Sequence, residues 1–240
     1  MIPTLLNFVA ENRGYAEGFG LFEIGRTVKG LKENNDCNER KKLGIVLYDK
    51  VAGEEALYLR VRDIVLRLVR DIKHAAPTFV AGEGVSYPWQ HPVNTAAVRL
   101  GDVELGFIAA LHPAVGTKLD KRAACVAAEL DMDLLAEIAP APIRYSEPSR
   151  FPGIDIDLTF ATDPSTLVFA EIEALLRRAG GQFLSAVTVT DVYEGEGNPS
   201  ITFRLSFTSQ EKTLSKAELQ GDIDTILAAM KENGMELKTV

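Results

Sequence analysis

The 240 residues carry a formal net charge of −8, with 46% hydrophobic residues, 25% charged residues and two cysteines. That is the composition of an ordinary globular chain long enough for two cores, since domains of about 100–150 residues are commonest. It excludes a disulfide scaffold, a membrane-spanning chain and the strongly basic profile of an autonomous nucleic-acid binder.

Residues 20–28 and 41–49 read as strands, and the polar stretch 29–41 between them reads as a mobile loop. Over 54–74, Leu57, Val61, Ile64, Val65, Leu68 and Ile72 recur at helical spacing and predict a long amphipathic helix. Strands are expected at 96–100 and 103–111, joined by the two-residue turn Gly101-Asp102, and again at 123–132. A short helix at 133–138 closes this part, which is α+β with a mainly antiparallel sheet. Three prolines in 138–150 mark a break, giving one domain over 1–140, a linker at 141–148 and a second domain over 149–240.

The second domain begins with an alternating strand at 154–161 and a helix at 167–179 stopped by Gly180-Gly181. Strands at 183–193 and 200–208 flank a turn at 194–199 in which Gly195 and Gly197 are the turn residues. Ser215 and Glu218 have capping-box spacing for a helix over 216–233, Gly234 ends it, and 235–239 forms a last strand. The order β-α-β-β-α-β is the ferredoxin-like motif, a four-stranded antiparallel sheet with both helices on one face. The other face is left for binding, as in RNA-recognition modules of the same topology.

Charge is unevenly divided. From residue 146 onward 15 acidic residues face 8 basic ones, a net of −7, whereas the first 145 hold 19 and 18. RNA held by the second domain must therefore meet a local patch within an adverse field. Cys37 and Cys125 lie far apart, outside any C-x-x-C pair, and are expected to be reduced, partly buried thiols. No basic and apolar leader pattern opens the chain, so a cytoplasmic location is expected.

No phosphate-cradling glycine motif, nucleophile elbow or metal-ligand spacing occurs, so no catalytic residue and no metal ligand is assigned. His91 and His112 each precede proline, which favours structural roles at strand or turn boundaries. Asp155 and Asp157 share a strand face, and Asp191 reads as a residue that caps or orients a turn. An aromatic platform with cations would suit RNA, and Tyr193, Arg204, Arg150, Lys212 and Lys238 are the candidate contacts. Arg204 and its neighbour Phe203 must point to opposite faces, with either one inward.

Several motifs stand in a familiar order. Phe151-Pro152 with Asp157-Leu158, Thr190 to Tyr193, Pro199 to Phe207, Thr213-Leu214-Ser215 and Gly234 resemble the ferredoxin-fold anticodon-binding domain that closes phenylalanine–tRNA ligase β subunits. Met1 to Leu6, Leu21 to Arg26, His91-Pro92 with Thr95-Ala96, and Gly106 with Leu111-His112-Pro113 resemble the catalytic-like module of the same subunit, a class II synthetase-like antiparallel α/β fold. The family usually has two basic residues where Asp155 and Ile156 stand, Gly-Arg where Val93-Asn94 stand, and a terminal Leu-Arg where this chain has Leu237-Lys238. Most of these departures remove positive charge.

The resemblance implies the last third of a longer β subunit, a non-catalytic scaffold for the α subunit in an (αβ)₂ tetramer. It further implies a hold on the anticodon region of tRNA-Phe. ATP and Mg²⁺ would then belong to the holoenzyme, and this chain would bind no cofactor of its own. Two other readings stay open. One is a free-standing ferredoxin-like regulatory module binding a small molecule such as an amino acid. The other is an α+β enzyme with its site in the first domain.

Overall fold

Helix α1 (Ile2–Asn12) forms where Ile2, Leu5, Leu6 and Val9 recur on one face, with Pro3 tolerated in its first turn. It opens a computed structural model that describes residues 1–81, 85–143, 145, 147–163, 167–195 and 199–238. The chain divides into two units, Met1–Arg144 and Tyr145–Val240.

In the first unit α1 is followed by β1 (Gly18–Leu31), β2 (Cys37–Asp49), α2 (Glu54–Lys73), β3 (Thr78–Ala81), β4 (Gln90–Leu100) and β5 (Val103–Leu111). Next come α3 (Pro113–Asp120), β6 (Ala124–Asp131) and α4 (Met132–Glu137). The six strands form one antiparallel sheet in the order β1-β2-β6-β5-β4-β3.

Strand alternation splits the apolar residues between two cores. Leu43, Ile45, Ile108, Val126 and Leu130 meet Leu57, Val61, Val65 and Val69 of α2. Val46, Tyr48, Ala109, Leu111 and Ala127 meet Ile2, Leu5, Leu6 and Val9 of α1. A sheet covered on both faces explains why β6 is apolar almost without interruption.

Several expectations need correction. Residues 29–41 are not a loop, because β1 runs on to Leu31 and β2 starts at Cys37, leaving a turn at 32–36. Cross-strand polar pairing holds this extension: Arg26 bonds Glu39 at 3.0 Å, and Asn35 takes a left-handed φ of 65° in the turn. The polar composition is that of a two-sided solvated ribbon.

In α2, Ile64 and Ile72 are exposed and Val69 is in the core, since the buried stripe follows i, i+4 steps from Leu57. Helices α1 and α3 and strand β3 are additional elements, and β4 begins at Gln90, not residue 96. Cys37 is exposed, and only Cys125 is buried, where desolvation pushes its thiol up to about 12. His112 caps α3, its Nδ1 accepting the Ala114 amide, and His91 Nδ1 accepts the Val93 and Asn94 amides. All three bonds are local and structural.

The second unit contains β7 (Ile154–Ala161), α5 (Phe169–Ala179), β8 (Leu184–Tyr193), β9 (Ser200–Phe207), α6 (Lys216–Glu232) and β10 (Glu236–Leu237). Its antiparallel sheet has the order β10-β7-β9-β8. Helix α5 starts two residues later than expected, and β10 is shorter, while Thr239 and Gly197 lie outside the described residues. Arg144 and Ser146, both close to the expected linker, also lie outside them.

Leu158, Phe160, Phe203, Leu205 and Phe207 point from the sheet toward Ile172 and Leu176 of α5 and Leu219, Ile226 and Met230 of α6. Ser215 caps α6 through the full capping box with Glu218. Asp191 is not at a turn: it lies within β8 opposite Thr202, after an irregularity in register between Val189 and Asp191.

Candidate nucleic-acid interface

Both described helices of the second unit cover one sheet face, so the alternate residues of each strand make up the other. Phe203 is fully buried, and its neighbour Arg204 therefore points outward. On β7 the outward set is Asp155, Asp157, Thr159 and Ala161; on β9 it is Thr202, Arg204 and Ser206, with Ser200 on the same face but buried. On β8, Thr188, Asp191 and Tyr193 share that face, being paired with Arg204, Thr202 and Ser200.

Register then assembles a small constellation. Arg204 sits opposite Asp157 and donates two bonds to its carboxylate, Nε to Oδ1 at 2.8 Å and Nη2 to Oδ2 at 2.7 Å. The guanidinium holds the Asp157 carboxyl below its usual range, and Asp157 raises the guanidinium in turn. Beside the pair, the Thr159 and Thr202 hydroxyls share a hydrogen bond of 2.9 Å.

The backbone amide of Lys238 bonds Thr159 at 2.8 Å and carries the last side chains onto the same face. Its Nζ lies 5.8 Å from the centre of the Tyr193 ring, within cation–π range. The ring is folded back against Gly195, where an added Cβ would fall 2.2 Å from the tyrosine Oη. Tyr193 keeps 51% of its surface exposed.

Three of the five candidate contacts, Tyr193, Arg204 and Lys238, thus share one face. The other two do not join them. Arg150 is bound to Glu147 at 2.6 Å before β7, and Lys212 is bound to Glu218 at the start of α6. The Thr159–Thr202 hydroxyl pair is a member that the residue types alone did not mark, and Asp157, read from the sequence as sharing a strand face with Asp155, joins the face as the partner of Arg204. The signal for them was available in the i, i+2 alternation of β7.

The face suits nucleotides chemically. A half-exposed tyrosine gives a stacking surface, the Arg–Asp pair offers donors and acceptors to a base edge, and Lys238 supplies charge for a phosphate. Its field is unfavourable, because Asp155, Asp157, Asp191 and Glu236 outnumber Arg204 and Lys238. Among the described residues no group of three His, Cys, Asp or Glu side chains is placed to hold a metal ion. No described helix is long and apolar enough to cross a membrane.

Comparison with known proteins gives two family matches in chain order. Residues 1–132 match the phenylalanyl tRNA synthetase beta chain CLM domain, and residues 149–238 match the ferredoxin-fold anticodon binding domain. The chain belongs to the phenylalanyl-tRNA synthetase β-chain family. Phenylalanine–tRNA ligase β subunits from Bacillus subtilis and Moorella thermoacetica are 34% and 31% identical, each over 97% of this chain. The β subunit from Clostridium tetani is 28% identical over 99% of it. The chain spans 30% of the length of each of these relatives.

Among solved structures, pyrrolysyl-tRNA synthetase from Desulfitobacterium hafniense aligns with 56% of this chain and 46% of its own, at TM-score 0.44 and 20% identity. Family membership agrees with the α+β description of both units and with the ferredoxin-like assignment of the second.

Proposed function

We propose that the second unit holds tRNA-Phe near its anticodon on the face bearing Tyr193, Arg204 and Lys238, with no catalytic step of its own. The observation that carries this reading is the convergence of those three side chains on the helix-free face of a domain matching the anticodon-binding family. Tyr193 stacks on a base, Arg204 addresses a base edge through the donors that Asp157 leaves free, and Lys238 neutralises a phosphate.

The first unit serves as a scaffold for the α subunit in an (αβ)₂ cytoplasmic ligase. ATP, Mg²⁺ and phenylalanine are handled by the α subunit, and none of them is assigned to residues here. The β-subunit identity of the relatives supports this division over a free-standing small-molecule module.

The test uses the reconstituted tetramer. Tyr193→Ala with Arg204→Ala should raise the KM for tRNA-Phe about tenfold or more, each lost base contact being worth about 1–3 kcal/mol. Phenylalanine-dependent ATP–pyrophosphate exchange, which needs no tRNA, should stay unchanged. An unchanged KM for tRNA-Phe sinks the reading.

A further inference from the structure

The cations of the first unit are not scattered evenly. Arg26, Arg40, Lys42, Arg60, Arg62, Arg67 and Arg99 are each tied to a carboxylate. Among the described side chains that leaves Arg13, Lys32, Lys41, Lys50, Arg70, Lys73, Lys118, Lys121 and Arg122 outside any ion pair. Five of these nine, Arg13, Lys50, Lys118, Lys121 and Arg122, line one open cavity of about 520 Å³ between the end of α1 and the end of α3. Arg13, Lys118, Lys121 and Arg122 are exposed.

One carboxylate, Asp120, stands among them, and it is already engaged. Its Oδ2 accepts the Tyr48 hydroxyl at 2.8 Å and its Oδ1 accepts the Arg122 amide at 3.0 Å. The Lys50 ammonium donates to the Arg13 carbonyl at 2.7 Å, which holds the two sides of the cavity together.

A purely local role does not use up this charge. Two helices, α1 and α3, end at the cavity, and cations there complement the helix dipoles. Each helix C-terminus contributes about half a negative charge, so the two together with Asp120 offset about two of the five cations. A surplus of about three positive charges remains, in a chain whose net charge is −8. Like charges lining one cleft focus the field there and concentrate anions, even on a chain that is acidic as a whole.

We propose that this cavity is a second RNA contact, in which Arg13, Lys118, Lys121 and Arg122 grip the sugar-phosphate backbone of tRNA without reading sequence. The inference rests on the reading that the chain handles tRNA, and it supplies what the anticodon-binding face lacks. That face carries more carboxylates than cations, so it selects nucleotides but attracts the polyanion poorly. The basic cavity attracts it.

The experiment measures binding of fluorescently labelled tRNA-Phe to the 240-residue chain across a salt series. Each phosphate contact contributes about −0.9 to the slope of log affinity against log salt on a DNA duplex and about −0.7 on a single strand. Lys118→Gln, Lys121→Gln and Arg122→Gln together should reduce the magnitude of the slope by about 2–3. A charge-matched control, Lys32→Gln, Lys41→Gln and Arg70→Gln, should leave it nearly unchanged. Arg13→Gln alone should lower it by about 1. An unrelated tRNA should respond like tRNA-Phe.

A cavity variant that behaves like its charge-matched control overturns the proposal. So does displacement of tRNA by inorganic phosphate well beyond that by chloride at equal ionic strength, which would mark a small-anion site. Tyr193→Ala with Arg204→Ala separates the two readings. If that variant alone weakens binding, the cavity proposal falls and the sheet-face reading stands; if only the cavity variant does so, the reverse holds.

Discussion

Arg204 on β9 and Asp157 on β7 face each other across the sheet and close a two-point ion pair, with both oxygens of the carboxylate engaged. The pair lies on the solvent side, so it adds little to stability: exposed pairs are screened and cost side-chain entropy to hold. Its consequence is for binding, because Asp157 masks the cation that RNA would seek. Asp157→Asn should strengthen tRNA binding, whereas Arg204→Ala should weaken it about tenfold. Equal weakening by both would show that the pair acts as one reader of a base edge. The pH dependence follows from the depressed carboxyl of Asp157. Its ion pair persists above the ordinary carboxylate range and is lost only as the pH falls through the lowered value. Masking therefore stays constant from mildly acidic to alkaline conditions.

Tyr193 has its ring half-exposed, backed by Gly195 and capped by Lys238. Removal of the ring costs no core packing, so Tyr193→Ala should leave the thermal midpoint nearly unchanged. Binding of tRNA-Phe should fall by about 1–3 kcal/mol if one base stacks there. Tyr193→Phe keeps the stacking surface and should bind almost as well. Gly195→Ala crowds the ring carbons as well as the hydroxyl, with a Cβ 2.3 Å from Cζ and 2.7 Å from Cε1, and should displace the ring and weaken binding in both the wild-type and the Tyr193→Phe backgrounds. Titration of the four variants against labelled tRNA checks the set.

How much was legible in the residues differs between the two units. In the second, the strand alternation of 154–161, the Gly180-Gly181 stop and the Ser215–Glu218 box each fix an element, because one local rule dominates at each. Phe203 against Arg204 was undecidable from alternation, which gives opposite faces but not which is inward; only packing on α5 and α6 decides it. In the first unit, a polar ribbon at 29–41 carries no core-facing alternation, so it looks like a loop although pairing makes it a hairpin. Burial on both sides likewise hides the face of β6. The gathering of Arg13, Lys50 and Lys118 to Arg122 joins residues over 100 positions apart, a juxtaposition that only the fold supplies.

The start of α6 offers a stability prediction with a defined sign. Lys212, then Ser215, hydrogen-bond the Glu218 carboxylate and depress it to about 2. A depressed carboxyl stabilises the fold above its ordinary value near 4.5 and loses that contribution as the pH falls toward about 2. Glu218→Gln should therefore lower stability at neutral pH, where the carboxylate's contribution is full, and converge with the wild type as the pH falls toward about 2, which flattens the acid limb of the stability curve. Ser215→Ala removes the hydroxyl cap and should cost about 1 kcal/mol at neutral pH. Urea denaturation of both variants at a series of pH values tests the separation.

Gly106 illustrates a motif residue explained by backbone geometry. It sits in β5 opposite Leu130 with a φ of 155°, at the edge of the region that side chains avoid. A Cβ there would fall 1.9 Å from the Glu129 carbonyl oxygen, which is backbone in the middle of β6 and cannot swing aside. Gly106→Ala must then break the β5–β6 register or move β6 out of the core it shares with α2. The expected loss is about 3 kcal/mol or more, combining conformational strain with the clash. Hydrogen exchange should show it as faster opening of amides in β5 and β6, while those of β7 and β9 keep their protection. Uniform loss of protection through both units would mean instead that the two unfold as one, and normal protection throughout would show that β5 accommodates the methyl group.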